Sequence, residues 1–249
     1  MTMPYDAIYL APHLDDAVLS CGGQIFDRVQ AGQKILVLTV MAGEPAAGQM
    51  NDYIASLHSR WEVAESAVRE RQDEDIAAVT SLGAAYEHWS LPDCIYRGEP
   101  PYYVGDEAIF GPVHPDEMTV VAELAARMGA LAAAEIIAPL AMGNHVDHQL
   151  VRAAAEEQFG AGLLYYEDYP YVQRDGAPLA ALAADPAWQV RSWPVTPAGR
   201  EAKFAAIARY RSQLSTFFTD DADLRRQVGG YMDTVGGERT WQRIGDRFA

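Results

Sequence analysis

The amino-acid sequence predicts an α/β fold in a single domain, with a doubly wound, mostly parallel sheet covered by helices on both faces. Three observations carry that expectation. Short apolar runs such as Ala7–Ala11 and Lys34–Met41 have the composition of strands buried on both sides. Segments of helical period alternate with them along the chain. A chain of 249 residues, 49% of them apolar, is also long enough to bury both faces of such a sheet in one core.

Taken in order, Ala7–Ala11 reads as the first strand, followed by a loop and a helix over Val18–Val29. Lys34–Met41, rich in β-branched residues, is the second strand. Trp61–Leu82 is a long charged helix stopped by Gly83, and Ala84–Ser90 is the third strand. Pro92–Pro115 carries many prolines and glycines together with Tyr96, Tyr102 and Tyr103, and reads as a long ordered loop of the kind that serves function. An alanine-rich helix over Met118–Ala134 follows, with Asp116 as its N-cap. Glu135–Leu140 is the fourth strand, a helix starts near Asp147, and Leu163–Tyr166 is the fifth strand. Trp188–Trp193 supplies one more strand and Thr196–Ser212 a helix. The glycine pairs Gly229–Gly230 and Gly236–Gly237 mark turns. The part from about residue 167 onward is expected to complete a substrate pocket within the same domain.

Charge narrows the function. The 35 acidic residues outnumber the 19 basic ones, for a net charge of −16, so nucleic acid and anionic membrane surfaces are poor partners. The same field suits metal cations and cationic or neutral substrates. No stretch is long and apolar enough for a membrane span, and the N-terminus lacks the order of a signal peptide, so a cytoplasmic protein is expected. Cys21 and Cys94 are expected to stay reduced as small buried hydrophobes.

Two strand ends carry the chemistry. In an open α/β sheet, ligands bind beyond the carboxyl ends of the strands. The first strand delivers P-H-L-D-D there, placing His13, Asp15 and Asp16 in one turn, and the fourth delivers G-N-H-V-D-H, placing His145, Asp147 and His148 in the equivalent loop. Three imidazole or carboxylate ligands plus an open position make a catalytic zinc site, whereas structural sites close with four protein ligands. Serving as an N-cap would need only one of these side chains. Neither G-x-G-x-x-G after the first strand nor a G-x-S-x-G elbow is present, which argues against a dinucleotide-dependent oxidoreductase and a serine hydrolase.

At these residues the sequence resembles the PIG-L/LmbE family of zinc-dependent N-deacetylases, whose motifs are A-H-P-D-D-E and H-x-x-H. The resemblance implies a Rossmann-like fold. It implies that His13, Asp16 and His148 are metal ligands for Zn²⁺, with Fe²⁺ as the alternative. It also implies that Asp15 is the general base and that His145 stabilises the oxyanion or protonates the leaving amine. Leu14 and Ala17 replace the usual proline and glutamate, and Gly143 replaces a tyrosine found two residues before H-x-x-H, for which Tyr166 and Tyr169 are the substitutes at hand. Arg71, Glu74, Ala78, Leu82 and Gly83 follow the family's second-helix pattern. Arg71, Asp93 and Tyr166 are the substrate-binding residues the resemblance implies; the structural alternatives are a surface pair of Arg71 with Glu74 or Asp75, a turn aspartate after Pro92, and a polar strand end. His58, His88 and His114 remain unassigned, although V-H-P-D-E at 113–117 imitates the first motif, because no buried strand precedes it.

The expected function is hydrolysis of an acetyl group from an N-acetylated amino sugar such as N-acetylglucosamine or a sugar-containing small molecule, with a neutral sugar ring favoured over a phosphoinositide head group. The alternatives are an amidase for a larger acyl or thiol-conjugate substrate and a non-catalytic metal- or sugar-binding module. Retention of Asp15 and His145 beside three ligands speaks against the last, since binding alone needs neither. The partner expected is a small N-acetylated sugar, and assembly as a homo-oligomer is left open.

Overall fold

The computed structural model describes residues 4–46, 50–60, 67–174 and 176–244. Its strands are β1 (Tyr5–Ala11), β2 (Ile35–Thr39), β3 (Ala85–His88), β4 (Ala133–Pro139), β5 (Leu164–Tyr166), β6 (Trp188–Trp193) and β7 (Glu238–Arg243). They form one seven-stranded sheet of order β3-β2-β1-β4-β5-β7-β6. The first five pair in parallel, whereas β7 runs antiparallel to both β5 and β6. The domain is therefore single and mostly parallel, as expected.

Ile8, Tyr9 and Leu10 of β1 are essentially fully buried, as are Val37 and Leu38 of β2 and Ile137 and Ala138 of β4. Each lies inside a parallel ladder with helices above and below, which is why these strands read as unbroken apolar runs. The helices are α1 (Asp16–Gln30), α2 (Asp52–Arg60), α3 (Ala67–Ser81), α4 (Asp106–Ile109), α5 (Met118–Met128), α6 (Val146–Phe159), α7 (Ala177–Ala184), α8 (Pro197–Ile207), α9 (Arg211–Phe217) and α10 (Asp221–Val235). Helix α8 packs on both α1 and α3, and α5 packs on α6. Right-handed crossovers that run outward from β1 to β3 and then outward again from β4 to β5 place those two groups on opposite faces. The chain thus reverses direction between β1 and β4, and the loops leaving these neighbours part to form a crevice.

Several elements differ from the sequence reading. Of the long helix expected over Trp61–Leu82, residues 61–66 lie outside the described residues; the described part is α3. The alanine-rich helix ends at Met128, because Ala133 pairs with Tyr5 of β1 and the last alanines extend β4 instead. His114 rather than Asp116 caps that region: its Nδ1 accepts the Asp116 N–H at 3.3 Å, ahead of a short 3₁₀ turn over Pro115–Glu117. The helix expected over Thr196–Ser212 breaks after Ile207. The break turns Tyr210 inward, where its hydroxyl donates to Asp75 Oδ1 at 2.6 Å. Gly229 and Gly230 sit inside α10 rather than in a turn; a Cβ on Gly229 would come within 2.5 Å of the Arg200 guanidinium on α8, so the glycine serves helix packing. Gly236 does end a helix, in the left-handed conformation at φ +78.

Helices α2, α4, α7 and α10 and strand β7 were not expected. Strand β7 has the polar sequence E-R-T-W-Q-R, yet Glu238 and Thr240 are buried. Glu238 accepts the backbone N–H groups of Gly23 and Gln24 and the ammonium of Lys203, which pins the edge of the sheet to α1 and α8.

Candidate metal centre and catalytic cleft

The carboxyl ends of β1 and β4 bring five of the expected residues together. Asp16 Oδ2 lies 3.3 Å from His13 Nδ1 and 3.3 Å from His148 Nε2. A tetrahedral zinc with bonds of about 2.0–2.2 Å separates its ligands by roughly 3.3–3.5 Å. His148 Nε2 is buried and makes no hydrogen bond despite that neighbour, a geometry in which both groups could share one ion. The donor set of two imidazoles and one carboxylate fits zinc.

The outer nitrogens explain why the inner ones are free. His148 Nδ1 pairs with Asp168 Oδ1 at 2.6 Å, and His13 Nε2 pairs with Asp147 Oδ2 at 2.9 Å. A proton on each outer nitrogen leaves Nε2 of His148 and Nδ1 of His13 as lone-pair donors, the usual carboxylate–histidine–metal relay. Asp168 also accepts the Met142 N–H at 3.0 Å, and Asp147 is held by the Cys94 N–H and by Arg97, which itself pairs with buried Glu117.

Electrostatics point the same way. Burial disfavours a charged His148, yet Asp16 and Asp168 outweigh it and push its pKa up to about 9. His13 is likewise raised well above the usual range against the opposing effect of burial, by Asp93, Asp147 and Asp16. The surroundings of these rings call for positive charge, which a cation would supply.

Asp15 and His145 face the same cleft from opposite loops. Asp15 holds the N-cap position of α1 but makes no side-chain cap bond, and its backbone sits at φ 134, ψ −29. For a residue other than glycine this is strained, and such strain gathers at functional sites. Burial, with the Asp16 charge beside it, pushes the Asp15 carboxyl up to about 8. His145 caps α6, its Nδ1 accepting the Asp147 N–H at 3.3 Å, so a neutral ring carries its proton on Nε2. Burial and the neighbouring His13 lower its pKa to about 3 and hold it neutral.

The cleft encloses about 190 Å³. Arg71 and Asp93 line it beside the centre: an Arg71 guanidinium nitrogen lies 4.0 Å from Asp93 Oδ2, which in turn is 3.8 Å from His13 Nε2. Glu74, the helical partner that spacing offers Arg71, instead accepts from the Ser212 N–H and hydroxyl. Tyr166 lies elsewhere. It is fully buried, and its hydroxyl donates to the Leu10 carbonyl at 3.1 Å. Tyr169 is also buried, with its ring against Tyr231. The ring that meets Gly143 is Tyr171: a Cβ on Gly143, at φ +80, would lie 2.7 Å from the Tyr171 Cβ. Tyr171 then packs edge-on against His148, with ring centroids 5.5 Å apart.

Other wall residues escaped the sequence reading. Tyr53 of α2 donates to Asp106 of α4 at 2.8 Å, and Arg174, Gln213 and Phe217 close further sides. None belongs to a short motif. Asp168 had a visible signal, the acidic pair Glu167-Asp168 at the end of β5, where a parallel strand delivers ligand-binding groups. Glu167 itself is committed to Arg239, Tyr231 and Trp241. The three unassigned histidines have structural partners: His58 with Tyr96, His88 with Asp75, and His114 stacked on Tyr102.

A doubly wound α/β domain that gathers His13, Asp16 and His148 at its switch point, with a further carboxylate and imidazole facing the same cleft, has the parts of a metal-dependent hydrolase. The chain belongs to the PIG-L family, whose model, described as GlcNAc-PI de-N-acetylase, matches residues 8–159. It is 27% identical, over 90% of this chain and 86% of the relative, to the 2'-N-acetylparomamine deacetylase of Niallia circulans. Among solved structures it is similar to the zinc-inhibited form of teicoplanin deacetylase Orf2, with a TM-score of 0.82 and 27% identity over 98% of this chain and 99% of that one. It is also similar to the A40926 pseudoaglycone deacetylase Dbv21, with a TM-score of 0.73 and 27% identity over 98% of each chain.

Proposed function

We propose that the protein is a zinc-dependent N-deacetylase that removes the acetyl group from an amino sugar, with a hexosamine ring of the N-acetylglucosamine type carried on a small molecule. The observation that carries this reading is the placement of Asp16 Oδ2 at 3.3 Å from both His13 Nδ1 and His148 Nε2, with Asp15 and His145 facing the same cleft. The deacetylase relatives that act on sugar-bearing small molecules support it.

His13, Asp16 and His148 would hold the zinc. When bound, it supplies Lewis-acid polarisation of the amide carbonyl and lowers the pKa of water. Beside that positive charge Asp15 would be held as the carboxylate against the effect of burial. Asp15 takes a proton from the attacking water as the new C–O bond forms. The Nε2–H of His145 donates to the carbonyl oxygen as charge gathers there, a role suited to a neutral ring. As the C–N bond breaks, the proton held by Asp15 passes to the departing amine. Of the two roles open to His145, the oxyanion role therefore fits its cap bond better than proton donation. Asp147 and Asp168 keep the two ligand rings in register throughout.

Arg71, Asp93 and the aromatic walls Tyr53 and Tyr171 suit the hydroxyls and faces of a sugar ring, and the charge of −16 disfavours an anionic phospholipid. The test is release of acetate by zinc-loaded protein, with and without chelator, from 2'-N-acetylparomamine, N-acetylglucosamine and N-acetylglucosaminyl-phosphatidylinositol. Chelator-sensitive turnover of a soluble sugar is expected. No turnover of any of the three, or a strong preference for the phospholipid, would count against the reading. An iron-loaded arm decides between the two metals.

A further inference from the structure

We infer that the acyl half of the substrate enters a small apolar hollow beside Asp15, and that Leu214 and Phe218 set its depth so that acetyl is taken in preference to longer acyl groups. The inference rests on the N-deacetylase reading above and adds what selects the acyl chain.

The hollow measures about 10 Å³ and borders the catalytic cleft, sharing Asp15, Leu19, Gln213 and Phe217 with it as walls. Leu19 of α1 and Ile207 at the end of α8 are fully buried in its wall. On the far side, Leu214 and Phe218 belong to both this hollow and a second cavity of about 270 Å³, which continues toward Ala208 and Leu224. Those two side chains are thus a partition between a very small space next to the base and a much larger one behind it.

Chemistry decides what the small space receives. The water that Asp15 deprotonates must attack the carbonyl carbon, so that carbon comes within reach of Asp15. The acyl substituent is one bond from the same carbon. The sugar, on the nitrogen side, needs the polar end of the cleft, where Arg71 and Asp93 stand. The acyl carbon is therefore left the apolar side, bounded by Leu19, Ile207, Leu214 and Phe217. A space of about 10–15 Å³ on this measure holds one water-sized group, which matches a methyl and leaves no room for further methylenes short of displacing Leu214 or Phe218. Each methylene that a pocket accepts or rejects changes specificity by roughly 10–200-fold.

Chain-length selectivity tests this directly. The wild type, Leu214→Ala and the milder Leu214→Val, all zinc-loaded, would be compared by kcat/KM on N-acetyl, N-butanoyl and N-hexanoyl forms of paromamine (at the 2'-amine) and of glucosamine. Zinc content and thermal melting would be recorded for each variant. The wild type is expected to favour acetyl over hexanoyl by about tenfold or more, and Leu214→Ala to raise the hexanoyl-to-acetyl ratio by about tenfold or more, with Leu214→Val between them. Equal turnover of acetyl and hexanoyl substrates by the wild type would overturn the inference alone. So would an unchanged ratio in both folded, zinc-containing variants. Failure of the wild type to release acyl groups from any of these substrates would overturn the deacetylase reading, and this inference with it.

Discussion

The part of the chain up to the end of α6 and the part beyond β5 contribute to the same cleft in different ways. The first part places His13, Asp15, Asp16, His145 and His148 in two short loops, each at the buried C-terminal end of a strand, so these side chains have little freedom to move apart. The second part contributes single residues scattered over loops and short helices: Asp168 after β5, Tyr171 and Arg174 in the next turn, Gln213 and Phe217 on α9. Reactive chemistry demands fixed distances, which parallel strand ends provide. A wall that shapes a substrate needs only bulk and polarity at the right place, which many sequences can supply. The family model matches residues 8–159, whereas the likeness to individual relatives, in sequence and in structure, extends over nearly the whole chain.

That contrast breaks most sharply at the ligands. Replacing His13, Asp16 or His148 by alanine should strip the metal and reduce turnover to background, because three ligands leave too few when one is lost. Metal per chain, measured by elemental analysis on each variant, checks it; full occupancy in all three would remove the assignment. Next in size is His145→Ala, which should keep the metal and lower kcat by about 10²–10³-fold through loss of an oxyanion donor. A variant with unchanged kcat would assign the oxyanion to another group. Asp168→Asn carries the comparison across the boundary, since a residue of the second part would then be shown to serve the first. It should cost about 10–100-fold in zinc affinity or activity while leaving the fold intact; competition with a chelator reads it out, and an unshifted affinity would reduce Asp168 to a loop anchor. The smallest effect expected is on stability: Gly143→Ala places a Cβ against Tyr171 at positive φ and should cost about 1–3 kcal/mol. A denaturant midpoint equal to the wild type would show that the Tyr171 contact is loose.

The same division explains how much could be read from the sequence. Where parallel strands are buried on both faces they read as apolar runs, so β2 and the C-terminal parts of β1 and β4 were visible from composition, and the tips of β1 and β4 located the histidines and aspartates. Strand β7 was invisible because its buried Glu238 and Thr240 are polar, satisfied by Lys203, by backbone N–H groups of α1 and by Trp193, none of them local in sequence. The family resemblance implies Tyr166 for the cleft, whereas alternation along β5 and the turn after it send Tyr166 toward β1 and Tyr171 toward Gly143. Asp147, named with the second loop, turned out to orient His13, a role that depends on a contact across 134 positions. Long-range pairing of this kind leaves no local pattern.

In the proposed mechanism Asp15 moves the proton while its neighbour Asp16 holds the metal, although the two are adjacent and both buried. Asp15→Asn tests it most directly, because the amide keeps the shape and deletes the base. Zinc content and steady-state turnover, measured on the same preparation, should show full metal occupancy with kcat lower by about 10²–10⁴-fold. Full occupancy with near-normal turnover would show that another group takes the proton.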